Sequence, residues 1–205
     1  MDLRYGEGLA SFADMFSMRY VRKVIDLQTR IFNYHAGLAG DTHYFRSPWY
    51  QWPIIWWPMW YSSGTANLPT SGMISSISCM GNPAVWWFGL VALLYVLVRA
   101  AWKKRAPEAY VIVLIGFASQ FLPWVLVPRS TFIYHYFASV PFIILASVLL
   151  LKEVRRRSEE GFRAASIALC TAALVLFIAF YPLESGAPAA RSYAMLLRWF
   201  KWYNF

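Results

Sequence analysis

The sequence predicts an all-α polytopic membrane protein: four transmembrane helices preceded by an aromatic-rich extracytoplasmic segment that carries an amphipathic helix. Three observations predict it. The 205 residues are 59% hydrophobic and only 14% charged, too apolar for an ordinary soluble domain. Four apolar runs, Ala84–Trp102, Ala109–Val127, Thr131–Leu151 and Ala164–Leu183, are each long enough to cross hydrocarbon. The basic residues also alternate in the way that such spans require. Lys103, Lys104 and Arg105 follow the first run, and Lys152, Arg155, Arg156, Arg157 and Arg163 lie between the third and fourth. The opposite connection holds only Pro128, Arg129 and Ser130. By the positive-inside rule the two basic loops are cytoplasmic. Residues 1–83, the Pro-Arg-Ser turn and the tail 184–205 then lie outside, with the four-helix region at 84–183. The net charge of +9 reports this topology and gives no reason to expect a nucleic-acid partner.

Residues 15–34 read as the amphipathic helix. Met18, Val21, Ile25 and Phe32 keep helical spacing, with Val24 and Ile31 beside them. Arg19, Arg22, Lys23, Asp26 and Arg30 occupy the other side, and Arg22–Asp26–Arg30 is an i,i+4 ladder. Such a helix is expected to lie in the membrane interface, as an anchor or a packing element. Residues 34–61 are too rich in aromatics and prolines for a regular helix, and they add His35, Asp41, His43, Arg46 and Ser47. They read as an interfacial aromatic belt or as the wall of an active site, since sugar C–H faces stack on Trp rings. The spacing of His35, Asp41 and His43 is no strong metal signature, and no metal site is predicted. Gly64–Ser78 reads as a loop or a short irregular pair of strands. Asn82-Pro83 presets the start of the first span, with Trp86 and Trp87 at the interface.

Cys79 and Cys170 form no disulfide framework, and no Asn-x-Ser/Thr sequon occurs. No signal-peptide core precedes the long outer segment. The first span could translocate that segment itself, but the simpler expectation is that further spans come before it in a larger protein.

The most informative stretch is Arg129–Phe142. It places an arginine, a histidine and two tyrosines at the mouth of the third span, where polar groups are costly without partners or a cavity. Arg129 suits a phosphate, which it can hold by two parallel hydrogen bonds. His135, about 6 Å below the turn at helical rise, can donate to phosphate or orient a tyrosine. The alternative is an interfacial anchor and a satisfied core histidine. No carboxylate stands out as a base: Asp41 reads as a loop cap, and Glu184 ends the fourth span.

Four ordered stretches together resemble the C-terminal four-span region of the protein O-mannosyltransferase family. These are Tyr34-His35 leading to His43; Ser47-Pro48-Trp49-Tyr50-Gln51-Trp52-Pro53 with Trp60-Tyr61; Gly81-Asn82-Pro83 with Trp86-Trp87; and Arg129 with Phe132–Tyr136 and Pro141-Phe142. The resemblance implies a GT-C glycosyltransferase that moves mannose from a polyprenyl phosphate (dolichyl phosphate in eukaryotes) to Ser or Thr hydroxyls of proteins. It implies Arg129, His135, Tyr134, Tyr136, His43 and Arg46 as donor-phosphate candidates, and Trp49, Trp52 and Trp60 as aromatic contacts to sugar or lipid. The donor is a substrate, and no cofactor is called for. The implied location is the plasma membrane in a bacterium or the endoplasmic reticulum membrane in a eukaryote. Implied partners are membrane lipid, a Ser/Thr protein acceptor and an N-terminal half. That half carries the family's acidic catalytic residues, so this chain is expected to be inactive alone. Two positions depart from the pattern: Tyr44 stands where the family has proline, and Trp57 precedes Pro58 where an arginine is common. Competing readings are a noncatalytic four-span partner of such an enzyme, and a small transporter with Gln120, Arg129 and His135 along its path.

Overall fold

The computed structural model describes residues 18–40, 42–64, 68, 71–102 and 106–203, in two units that divide after Asp41. Asp41 and the Lys103–Arg105 cluster lie outside the described residues, as do positions 15–17 of the predicted amphipathic helix. The first unit is helix α1, Met18–Gly37, followed by a 3-10 turn at Leu38–Gly40. Its apolar side chains Met18, Ile25 and Phe32 are exposed. The ion-pair ladder expected at Arg22–Asp26–Arg30 does not close within 4 Å among the described residues. Exposed i,i+4 charges gain little by pairing, so solvated side chains are the ordinary outcome.

The second unit is a helical bundle capped by a small sheet. Four segments are long and apolar enough to cross a membrane: Pro83–Trp102, Glu108–Leu126, Ile133–Arg157 and Glu159–Ser185. The first is helix α2, Pro83–Trp102. Asn82 starts it, its Oδ1 accepting from the Ala84 and Val85 N–H groups at 3.1 and 3.4 Å, and Pro83 supplies a preset first residue. Trp86, Gly89, Leu93 and Val96 recur at helical spacing and turn one buried stripe inward. Gly89 permits the close approach to the next-but-one helix, because a Cβ there would lie 2.9 Å from the Ile143 Cβ. Of the two tryptophans expected at the interface, Trp87 is exposed, but Trp86 is buried at 2% exposure against Tyr136. Adjacent helical residues point about 100° apart, so only one of the pair faces outward.

Prolines set the irregular joints. Helix α3, Glu108–Phe121, passes into a 3-10 turn at Leu122–Leu126, where Pro123 has no N–H for the α pattern. The third span, read from sequence as one apolar run, has two parts: a 3-10 segment Ile133–Ser139, then helix α4, Val140–Arg157. Pro141 falls in the first turn of α4, the position where its missing N–H is harmless. Helix α5, Glu159–Ser185, begins five residues before the apolar run because Ser158 caps it, accepting from Gly161 N–H at 2.9 Å. It ends on Gly186 in the left-handed region, φ 78°. At the end of the bundle where α4 meets α5, Glu153 pairs with Arg156 and Arg99, and Glu159 pairs with Arg155 and Arg163.

The stretch Gly64–Ser78, read as a loop or a short irregular pair of strands, contributes to an antiparallel sheet whose first strand starts earlier, in the aromatic segment. Strand β1, Met59–Gly64, pairs with β2, Met73–Cys79, and β2 with the two-residue β3, Ala189–Ala190. A bulge between Trp60 and Ser62 shifts the register at Tyr61. Helix α6, Arg191–Leu197, follows. The chain then returns to bury Tyr203, at 1% exposure, in the core that also holds Trp52, Ile55, Trp86 and Ile133.

Candidate functional site

Two segments far apart in sequence are stitched together by a pair of hydrogen bonds. Ser47 N–H donates to the Thr131 carbonyl, and Thr131 Oγ1 donates back to the Ser47 carbonyl, both at 2.8 Å. The Trp52 indole N–H adds to the same point, 3.1 Å from the Ser47 carbonyl and 3.0 Å from its Oγ. Ser47 is 1% exposed and Trp52 fully buried, so these bonds are made away from water and their loss would strand polar atoms. The result is a rigid joint between the aromatic loop and the 3-10 segment.

His135 stands on that joint. Its ring stacks on Trp52, with centroids 5.8 Å apart and planes 19° apart. Trp124 at 4.1 Å and Tyr134 at 4.5 Å flank it as well. Its Nδ1 faces the Phe132 backbone, 3.1 Å from the N–H and 2.8 Å from the carbonyl. All its hydrogen bonds among the described residues use Nδ1, leaving Nε2 free for a ligand. Accepting from the Phe132 N–H puts the ring proton on Nε2 and makes that atom a donor, whereas donating to the Phe132 carbonyl puts the proton on Nδ1 and makes Nε2 an acceptor.

Arg129, half-buried, lies within electrostatic reach of His135 and Tyr134 and joins no ion pair among the described residues. Tyr134 stacks between Phe132 and Tyr61, with centroids 5.4 and 6.5 Å away. His43 reaches the same group through an edge contact to Phe132 at 5.1 Å, its Nδ1 accepting from Phe45 N–H at 3.2 Å. Arg46 is exposed in the same loop. Tyr136 is placed otherwise: it is fully buried among Trp86, Phe117 and Phe121. Trp49 packs edge-on against Phe121, and Trp60 bonds Ser76 Oγ at 3.2 Å. Trp52 is wholly enclosed and acts as a support for His135. Gln120 bonds its neighbour Ser119 at 3.5 Å, and among the described residues no contact joins it to Arg129 or His135.

Sequence reasoning missed Tyr61 and Cys79. The bulge in β1 aims Tyr61 at Tyr134, and Tyr61 and Cys79 hydrogen-bond each other. Burial is the first cause that pushes the Tyr61 hydroxyl up to about 12; nearby Cys79 and Tyr134 and the bond to Cys79 add to it. Burial, with the Glu184 carboxylate next, pushes the Cys79 thiol up to about 11, against a small opposing effect of the Tyr61 bond. Both groups are neutral at physiological pH. A half-buried cysteine between an aromatic residue and a carboxylate is no sequence motif; only the strand pairing assembles it.

The fold and the site define a polytopic helical membrane protein with a polar, aromatic-walled cluster at one end of its bundle. Residues 20–203 match the model of the C-terminal four TMM region of protein-O-mannosyltransferase. The chain belongs to the protein O-mannosyltransferase family. It is 27% identical over 186 residues to a polyprenol-phosphate-mannose–protein mannosyltransferase of Mycobacterium tuberculosis, covering 83% of this chain and 35% of that protein. The corresponding Corynebacterium glutamicum protein is 29% identical over 76% of this chain and 32% of its own length. A structure of the Saccharomyces cerevisiae protein O-mannosyltransferase Pmt1–Pmt2 complex bound to the sugar donor has the same fold. Its TM-score is 0.72 at 22% identity, over 97% of this chain and 28% of that one. The chain thus spans about a third of the length of the curated relatives it matches.

Proposed function

We propose that this chain supplies the donor-phosphate side of a membrane mannosyltransferase that moves mannose from polyprenyl-phosphate-mannose to Ser or Thr hydroxyls of proteins. In that transfer the bond from mannose C1 to the phosphate oxygen breaks and its electron pair leaves with the polyprenyl phosphate. A new bond forms from C1 to the acceptor oxygen, and the hydroxyl proton passes to a base. Departure of the phosphate is the step these residues suit. Arg129 offers paired donors to its developing charge, and His135, in the tautomer that carries its proton on Nε2, adds a directed hydrogen bond. Tyr134 and His43 border the same space. The base is expected in the part of the relatives that this chain does not cover. The topology in which this cluster is extracytoplasmic belongs to the same proposal.

The observation that carries this reading is the placement of His135, its ring fixed by Trp52 and Phe132 and its Nε2 in no hydrogen bond among the described residues, beside an arginine that joins no ion pair among those residues. The experiment is transfer of labelled mannose from polyprenyl-phosphate-mannose to a Ser/Thr peptide, using the complete gene product in membranes. Arg129→Ala and His135→Ala are each expected to lower transfer about a hundredfold or more. Transfer and donor affinity that both stay at wild-type level in the two variants refute the assignment. Donor binding without any transfer supports the noncatalytic partner instead.

A further inference from the structure

The turn behind Trp52 has an unusual residue at its critical point. Ile55 N–H donates to the Trp52 carbonyl at 2.9 Å, and Trp56 N–H donates to the Gln51 carbonyl at 3.1 Å. These are the paired bonds with which a helical turn is closed by a left-handed residue, a place normally filled by glycine or asparagine. Here it is Ile55, at φ 55°, the one non-glycine residue with positive φ among those described. A β-branched side chain resists that conformation, so it persists only where surrounding contacts impose it.

Those contacts come from the far end of the chain. Tyr203 Oη donates to the Ile55 carbonyl, and the Trp202 indole N–H donates to the Trp56 carbonyl at 2.6 Å. The Trp202 ring lies 4.7 Å from Trp56 and is nearly parallel to Trp57, 6.4 Å away. Phe200 packs on both Trp56 and Tyr203. Tyr203 is 1% exposed and Ile55 fully buried. Burial raises the Tyr203 hydroxyl above its ordinary range, so it remains a donor at any physiological pH.

We infer that Trp202 and Tyr203 are positioning residues: they clasp the two successive carbonyls of the Ile55 turn and thereby hold Trp52 against His135. The inference deepens the donor-site proposal and rests on it for the link to mannose transfer. The path is short. Releasing the carbonyls lets Ile55 relax to negative φ, which breaks the Trp56 N–H bond to the Gln51 carbonyl, opens the turn that carries Trp52 and frees the ring that stacks on His135. The tail residues bond the carbonyls of Ile55 and Trp56, and the same turn carries Trp52 against His135, so the effect passes through the turn.

The test uses Tyr203→Phe and Trp202→Phe, which remove one hydrogen-bond donor each and keep an aromatic ring, in the complete gene product reconstituted in bilayers. Two readouts are taken: amide exchange across residues 51–57, and donor KM against kcat for mannose transfer. The expected result is exchange about tenfold faster at 51–57 with the bundle helices unchanged. Donor KM rises about three- to tenfold with kcat within twofold, the span of one lost buried hydrogen bond. Ile55→Gly, which adopts the left-handed turn without strain, should suppress the Tyr203→Phe effect on exchange when the two are combined. Unchanged exchange at 51–57 overturns the clasp, as do fully additive effects in that double variant. Faster exchange with an unchanged KM, in a protein that Arg129→Ala still disables, overturns the positioning role and leaves the donor site standing. Faster exchange with an unchanged KM, where Arg129→Ala and His135→Ala are silent too, overturns the donor site and the positioning role with it.

Discussion

Replacing Trp52 with phenylalanine tests whether the joint under His135 is held by the indole N–H or by ring packing alone. The N–H is shared between the Ser47 carbonyl at 3.1 Å and the Ser47 Oγ at 3.0 Å, so it counts as one buried hydrogen bond. Its net worth is about 1 kcal/mol, and stranding the hydroxyl in a site 1% exposed pushes the loss towards about 2 kcal/mol. Shrinking the ring leaves a small void at a fully buried position, worth about 1 kcal/mol more. The expected destabilisation is therefore about 2–3 kcal/mol, or a fall in Tm of roughly 5–10 °C for a domain of this size. The assay is thermal unfolding in nanodiscs, with Trp49→Phe as the control. Trp49 also packs on Phe121, but its indole makes no hydrogen bond among the described residues. A Trp52→Phe protein no less stable than the Trp49→Phe protein would refute the hydrogen-bonded joint.

Three other outcomes follow from the same contacts. The Cys79 thiol titrates near 9.0 in an unfolded chain and near 11 in the fold, so the stability it contributes is complete below pH 9.0 and is lost as pH rises to about 11. Thermal melts at a series of pH values should show this alkaline decline, and Cys79→Ala should flatten it; a decline that starts in the neutral range contradicts the burial. Gly81→Ala should destabilise the start of α2 by about 1–3 kcal/mol, because the new Cβ would stand 1.8 Å from the Trp86 ring, itself 2% exposed. Wild-type Tm in that variant would show that the ring can yield. Ser158→Ala removes the cap of α5 and should cost about 1 kcal/mol, read as a lower Tm; an unchanged Tm means the acidic first turn suffices.

The four spans were legible because length, hydropathy and charge placement are local properties of the chain. What stayed hidden needs information that no short window contains. Hydropathy cannot distinguish a 3-10 turn from an α-turn, so Thr131–Leu151 read as one run although its first part is wound differently. The tail 184–205 carried no signal beyond its side of the membrane, yet Trp202 and Tyr203 contact residues 146 and 148 positions away. The Ile55 turn was invisible for a sharper reason: its sequence carries no glycine or asparagine, the only local signal for a left-handed closure. Arg129, His135, Tyr134 and His43 were singled out from sequence, and the fold groups them. Tyr136 was singled out with them, and the fold buries it.

The winding of the third span explains that division. In Ile133–Ser139 the fully buried residues are Ile133, Tyr136 and Ser139, spaced three apart. Three residues per turn stacks them in one straight ridge against the bundle, whereas α-winding would let the ridge drift by about 60° per step. Tyr136 is therefore a ridge residue, locked between Trp86 and Phe121. The same winding keeps Tyr134 and His135 off the ridge, facing Tyr61 and Trp52 respectively. A 3-10 helix has poorer hydrogen-bond geometry and rarely runs this long without support. Here the support comes from outside the helix: the Ser47–Thr131 stitch before its start, the His135 ring folded back on Phe132, and Pro141 just beyond its end. The aromatic loop therefore does more than wall the site. By fixing Thr131 it sets the winding that decides which side chains of this span face the cluster and which fill the core.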